Sequence, residues 1–122
     1  MAVVLNVANG KLQPYQAEID LLLPTGETLT VLGERVPLRI RRAMVAKHTK
    51  RGDLDSYGLA FAATQVGIKG WKNVQAPDGS AIPYSFDLLI DVLNEDTLIE
   101  LSGRLEALYQ TVDAEMGNSN GT

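Results

Sequence analysis

Strand-like alternation of apolar and polar residues marks the first quarter of the chain. Apolar side chains alternate over residues 3–7 before Asn9-Gly10, a dipeptide typical of a type I′ hairpin turn. A second alternation covers residues 17–32 and is interrupted by Pro24-Thr25-Gly26-Glu27. Because proline fixes φ and glycine tolerates a positive φ, this tetrapeptide favours a tight turn. The pattern therefore predicts a β-hairpin over residues 17–32 and a further strand before it.

Helical spacing replaces this alternation after residue 35. It predicts two helices within residues 36–66 and two more within residues 85–116. Pro37 suits the first turn of the first helix, and the side chains suited to cap the later helices are Asp53 or Asp55, Ser85 and Asn94. The second helix, which contains YGLAFAATQV, is nearly free of charge. We therefore expect it to be the most buried of the four.

Residues 67–84, between the two helical pairs, follow neither period. They contain the lone tryptophan, Trp71, the turn signal Pro77-Asp78-Gly79 and the pair Pro83-Tyr84. A loop of this length in a compact domain is functional, packed by its own side chains or mobile. Trp71 either anchors the loop in the core or offers a partner an exposed contact, and we favour the core anchor.

The last predicted helix carries an apolar stripe with two interpretations. Its members are Leu98, Leu101, Leu105 and Leu108, continued by Val112. Spacings of three and four place them on one helix face. Such a face can close the domain core or form a seam with another chain. Because two heptads are too few to define a coiled coil, we favour core packing.

Together these patterns predict an α+β fold in which N-terminal β-hairpins pack on a mostly helical domain of about four helices. A single domain covers residues 1–116, with a β-hairpin region at 1–32, a Trp-containing loop at 67–84 and helices in the remaining segments. The polar residues 117–122, GNSNGT, are expected to form a flexible tail.

Composition narrows the function classes. The 122 residues contain no cysteine, which excludes a disulfide scaffold and thiolate metal ligands. There is no basic N-terminal segment of a signal peptide and no run of about 18 apolar residues. We therefore expect a soluble intracellular protein that does not interact with membranes.

Charge is divided unequally along the chain. Residues 1–52 hold eight Lys and Arg against four Asp and Glu, whereas residues 53–122 hold three against eleven. Arg35, Arg39 and Arg42 are spaced to share one helix face, and Arg41 points elsewhere. These arginines could bind nucleic-acid phosphates, or pair with acidic helices of this chain or of a protein partner. The acidic pI of about 4.9 and the lack of interleaved aromatic residues favour the protein interpretation.

Residues for catalysis are sparse. His48 is the only histidine, and it lies beside the cations Lys47 and Lys50 rather than in a nucleophile motif. Neither a metal-ligand spacing nor a phosphate-binding glycine loop is recognisable. The sequence therefore predicts a protein without enzymatic activity, cofactor or metal.

The order of motifs resembles that of the small tail assembly chaperones of long-tailed bacteriophages, and more loosely other small phage tail proteins. The similarity rests on LPTGETLTV, a Pro-initiated helix, a small-residue helix, a GW loop with PDG and IPYS, and a final amphipathic helix. It covers about residues 19–112, and the N-terminal residues 1–15 depart from the family pattern.

This resemblance implies a non-enzymatic protein of the host cytoplasm that binds the tape measure protein, with tail tube subunits or a second copy as further partners. The residues expected to bind a protein partner are Trp71, Ile82, Tyr84, Leu98, Leu101, Leu105, Leu108, Arg35, Arg39 and Arg42. Two alternatives remain open, namely a structural tail or neck component of the virion and a small nucleic-acid-binding regulator.

Overall fold

The computed structural model describes residues 2–5, 7–12 and 15–121 and has the α+β fold that the sequence predicts. Its helices are α1 (Leu38–Lys47), α2 (Ser56–Gly67), α3 (Phe86–Val92) and α4 (Glu95–Gly121). Its strands are β1 (Val7–Ala8), β2 (Lys11–Leu12), β3 (Gln16–Leu22), β4 (Thr28–Glu34), β5 (Thr49–Lys50), β6 (Asp53–Leu54) and β7 (Ile68–Lys72).

The predicted hairpin over residues 17–32 is confirmed by the antiparallel pair β3–β4. Its register places Ile19 opposite Val31 and Leu21 opposite Leu29, and all four side chains are buried. Gly26 takes a φ of +91° in the connecting turn, a conformation that favours glycine. One face of this hairpin is therefore apolar and covered, as strict alternation requires.

A third strand corrects the prediction that residues 67–84 form a loop throughout. β7 begins directly after α2 and pairs antiparallel with β4, giving the sheet order β3–β4–β7. Ile68 and Gly70 are buried while Lys69 is exposed, which is the alternation of a short strand. The prediction missed this strand because its partner, β4, lies more than 30 residues earlier in the sequence. Gly67 is accordingly the last residue of α2 and not the start of a loop.

The helix starts agree with the capping residues that the sequence offers. Asp55 accepts a hydrogen bond from the Gly58 amide at the start of α2, and Ser85 caps α3 through the Leu88 amide. Asn94 and Thr97 exchange side chain-to-backbone hydrogen bonds of 2.8 and 2.9 Å at the start of α4. Each bond satisfies an amide that a helix would otherwise leave without a partner.

Helix α4 continues beyond the domain boundary that the sequence suggests. It extends to Gly121 and so includes residues 117–121, for which a flexible tail was predicted. Thr122 lies outside the described residues.

Two short hairpins flank this framework. Asn9 and Gly10 have φ values of +54° and +75°, as a type I′ turn between β1 and β2 requires. Arg51 and Gly52, at +53° and +82°, form the corresponding turn between β5 and β6. The first turn was predicted, whereas the β5–β6 hairpin was not.

The core lies between the apolar face of the sheet and the helices α2, α3 and α4. Its fully buried or nearly fully buried apolar side chains are Ile19, Leu21, Leu29, Val31, Ile68, Leu89, Leu101 and Leu105. Helix α2 faces α4 with small residues, since its buried positions are Ala60, Thr64 and Gly67. The expectation that α2 is buried therefore holds on this side only. By contrast, α1 has no buried residue.

Leu105 of α4 lies in a notch between two glycines. A Cβ added to Gly67 would lie 3.0 and 3.1 Å from the two Leu105 methyl carbons. A Cβ added to Gly33 of β4 would lie 3.1 Å from one of them and 2.8 Å from Ile19 Cδ1. These distances are shorter than a normal carbon–carbon contact of about 3.5–4.0 Å. The two glycines thus allow β4 and α2 to approach one leucine from two sides.

We predict that Gly67→Ala destabilises the fold although alanine favours helices. Leu105 cannot move away from the new methyl group, because the Gly33 side of the notch confines it. We expect a loss of about 1–3 kcal/mol in the free energy of unfolding, as is typical of overpacking. The matched control is Gly103→Ala on the exposed face of α4, where a Cβ meets nothing within 4 Å.

Chemical denaturation measures both variants against the parent chain. Gly103→Ala should stabilise by about 0.5–1 kcal/mol, the helix preference of alanine over glycine. A Gly67→Ala variant as stable as Gly103→Ala would show that the notch is not tightly packed.

Candidate protein-binding surfaces

Trp71 is bound inside the chain. Its indole Nε1 donates a hydrogen bond of 2.8 Å to the Ile82 carbonyl oxygen, and its ring packs edge-on against Tyr84 with 5.2 Å between centroids. Both rings pack against the hydrophobic core and are only partly exposed. This is the core-anchor arrangement that the sequence favours, since the indole donor is satisfied and the ring is covered by its neighbours.

The rest of the Trp-containing segment is ordered by its own hydrogen bonds. The Ile82 amide donates to the Val74 carbonyl oxygen at 2.9 Å, and the Ala76 amide donates to the Ser80 carbonyl oxygen at 2.8 Å. Asp78 accepts hydrogen bonds from the side chain and the amide of Ser80 at 2.6 and 2.9 Å, which lower the pKa of its carboxyl group. Residues 73–84 therefore fold back on β7 as a packed connection.

The leucine stripe belongs to the core and does not form an exposed partner surface. Leu98, Leu101 and Leu105 are 3, 0 and 3% exposed, and Leu108 is partly buried against the same core. The leucine face of α4, whose periodicity also suggested a seam with another chain, covers the sheet instead. Val112 is outside the part of the chain whose side-chain surroundings are described.

The structure does not place Arg35, Arg39 and Arg42 on one helix face. Arg35 precedes α1, whereas Arg39 and Arg42 are exposed on it, where they line an open concavity with Pro37 and Leu38. Arg41 points away from them, as predicted, and binds the Glu106 carboxylate of α4 through two contacts of 2.7 and 2.8 Å. Only Arg39 and Arg42 therefore form a shared basic face on α1.

An apolar segment at the N-terminus is more exposed than the apolar residues of the predicted site. Val3, Val4, Leu5 and Val7 are 76, 84, 61 and 50% exposed. Residues 2–5 belong to no helix or strand, although alternation predicted a strand through them. The apolar alternation over residues 3–7, which suggested a covered strand, was the sequence signal that could have indicated this surface. It did not reveal that the apolar side chains lack a cover.

A second overlooked surface lies on α3 and the first turns of α4. Its apolar side chains Leu88, Val92 and Ile99 are 42–44% exposed. They alternate along the chain with exposed carboxylates, which are Asp87, Asp91, Glu95, Asp96 and Glu100. The helical spacing of this segment was recognised, but Leu88, Val92 and Ile99 were assigned no role.

The described residues contain no metal-binding cluster, and the cavity between three of the helices is small. No group of three or more His, Asp or Glu side chains among them could hold a metal ion. A cavity of about 60 Å³ lies between α1, α2 and α4, lined in part by Met44, Leu59, Ala63 and Leu105. Sites for ligands have volumes of about 300–1,000 Å³, so this cavity is too small for one. Within residues 2–5, 7–12 and 15–121, no helix has the length and apolar character needed to cross a membrane.

No protein-family model, curated protein or solved structure matches the chain.

We predict that Tyr84 makes the fold sensitive to alkaline pH. Burial raises the pKa of its phenol, so folding favours the neutral form. The stability that this provides is complete below the unfolded pKa of about 10 and is lost as pH rises through that value towards the folded pKa. Tyr84→Phe should therefore flatten the decline in stability above about pH 9.

The measurement is the free energy of unfolding as a function of pH, with Tyr57→Phe as control because Tyr57 is 47% exposed. Tyr84→Phe also removes a long hydrogen bond to the Ile68 carbonyl oxygen, which shifts the whole curve but not its slope. If the free energy of unfolding declines equally steeply at alkaline pH in the parent and both variants, Tyr84 does not cause the decline.

Proposed function

We propose that this chain is a non-enzymatic tail assembly chaperone, which binds a phage tape measure protein and keeps its apolar helices soluble while tail tube subunits assemble. The resemblance of residues 19–112 to that family supports this proposal. The sequence also supports it, because one histidine and no cysteine do not assemble a nucleophile–base set.

The observation that carries the proposal is the exposure of the apolar side chains Val3, Val4, Leu5 and Val7. Four large aliphatic side chains within five positions are at least half exposed, as given above. Exposed apolar patches on folded proteins mark sites of interaction, because leaving them in water is unfavourable. A chaperone for apolar helices requires such a surface.

This surface is proposed in place of the apolar binding residues inferred from the sequence. Trp71, Tyr84 and the buried leucines of α4 are engaged inside the fold, so the domain can present an apolar segment without giving up its core. The backbone of residues 3–5 is not part of a strand ladder. It is therefore available to pair with a partner segment while the side chains cover apolar groups.

We predict that Val4→Asp/Leu5→Asp weakens chaperone activity several-fold without unfolding the domain. Each carboxylate would have to be desolvated on binding to an apolar partner, which is unfavourable. The assay is co-expression with the tape measure protein of the same phage, with its soluble fraction as readout. We expect a several-fold decrease with the double variant, because most of the apolar contact is lost.

Leu22→Asp serves as control, since Leu22 is 63% exposed but lies on β3, away from the segment. Tape measure protein that remains equally soluble with the double variant would contradict the proposal. Mass spectrometry of purified virions separates the structural alternative, because a chaperone should be absent from them and a tail or neck component present.

A further inference from the structure

Helix α1 presents a face that combines positive charge with an exposed apolar side chain. Leu38 is 51% exposed, and Arg42 follows it by four residues, so the two share one side of the helix with Arg39. Neither arginine has a hydrogen-bond or ion-pair partner among the residues that the structure describes. We call Pro37, Leu38, Arg39 and Arg42 the α1 face.

The exposed surface of α3 and the start of α4 has the complementary character. Leu88, Asp91 and Val92 are spaced by three and four residues and share one side of α3. Glu95 and Ile99 continue this combination of acidic and apolar side chains on α4. The three carboxylates Asp87, Asp91 and Glu95 have no ion-pair partner within the described part of the chain. We call this surface, Asp87 to Ile99, the acidic face.

The structure describes no ion pair between the two faces within one molecule. The Arg41–Glu106 ion pair fixes α1 beside the middle of α4. Asp96 precedes Glu106 by ten residues, which corresponds to about 15 Å along a helix axis. This separation exceeds the reach of Arg39 or Arg42 from α1. Each face is therefore free to bind another molecule.

We propose that copies of this chain associate head to tail, with the α1 face of one copy docked on the acidic face of the next. Charge complementarity favours a second copy of the chain as the binding partner. The chain itself carries both an unpaired basic face and an unpaired acidic face, with apolar residues in each. In this head-to-tail arrangement each copy uses its α1 face on one neighbour and its acidic face on another, so a dimer retains one free face of each kind. Association therefore continues to a closed ring or an open filament.

Sedimentation velocity of the full chain, without any partner protein, tests this proposal over a range of protein concentrations and salt. The parent chain should form species larger than a dimer as its concentration rises. These species should dissociate at high salt, because exposed charges are screened. A parent chain that stays monomeric at all concentrations at low salt would overturn the proposal.

Reciprocal charge reversal identifies the faces. Arg39→Glu/Arg42→Glu and Asp91→Lys/Glu95→Lys should each weaken association by about tenfold or more, because like charges then oppose each other. An equal mixture of the two variants should associate again, since each reversed face finds a complementary face on the other variant. Circular dichroism confirms that each variant is folded.

The control for net charge is Lys47→Glu/Lys50→Glu. Lys47 lies nine residues after Leu38, which places these two residues on opposite sides of α1, and Lys50 lies on β5. This variant should associate like the parent chain. Two further outcomes overturn the proposal. One is that the folded variants do not associate when mixed. The other is that an Arg39→Glu/Arg42→Glu variant loses binding to a DNA or RNA fragment but self-associates normally.

Discussion

The fit of Leu105 between Gly33 and Gly67 is the constraint on which the rest of the fold depends. It joins three elements at one side chain, since Gly33 belongs to β4, Gly67 ends α2 and Leu105 lies on α4. Gly67 is followed at once by β7, whose first residue, Ile68, pairs with Gly33. The position of α4 against the notch therefore also sets where the third strand meets the sheet. A side chain larger than hydrogen at either glycine would separate these elements.

This packing explains which residues remain for interaction with other molecules. The leucines of α4 and the Trp71–Tyr84 pair cover the sheet, so the most conspicuous apolar residues of the sequence are internal. The surfaces that remain outside include the side chains of Val3, Val4, Leu5 and Val7, the α1 face and the acidic face. Two of these three surfaces combine charge with apolar side chains, as protein interfaces do with an apolar centre and a polar rim. The core and the binding surfaces thus use separate residues.

Local signals in the sequence predicted much of the fold. The β3–β4 hairpin followed from alternation and a four-residue turn, and the caps Asp55, Ser85 and Asn94 marked the starts of three helices. The strand β7 was not predicted, because its five residues contain two lysines and a glycine and its pairing partner is distant in the sequence. Periodicity identifies the apolar side of an element but not what covers it. For that reason the stripe of α4 was considered as a binding surface, and residues 3–7 were considered part of a strand.

A double-mutant cycle of Gly67→Ala and Leu105→Ala tests the central constraint most directly. Truncating Leu105 removes the methyl carbons that an alanine at position 67 would meet, so Gly67→Ala should cost nothing or stabilise in that background. We predict a coupling free energy of about 1–3 kcal/mol, the range for residues in direct contact. Additive effects of the two substitutions, within about 0.5 kcal/mol, would contradict the account.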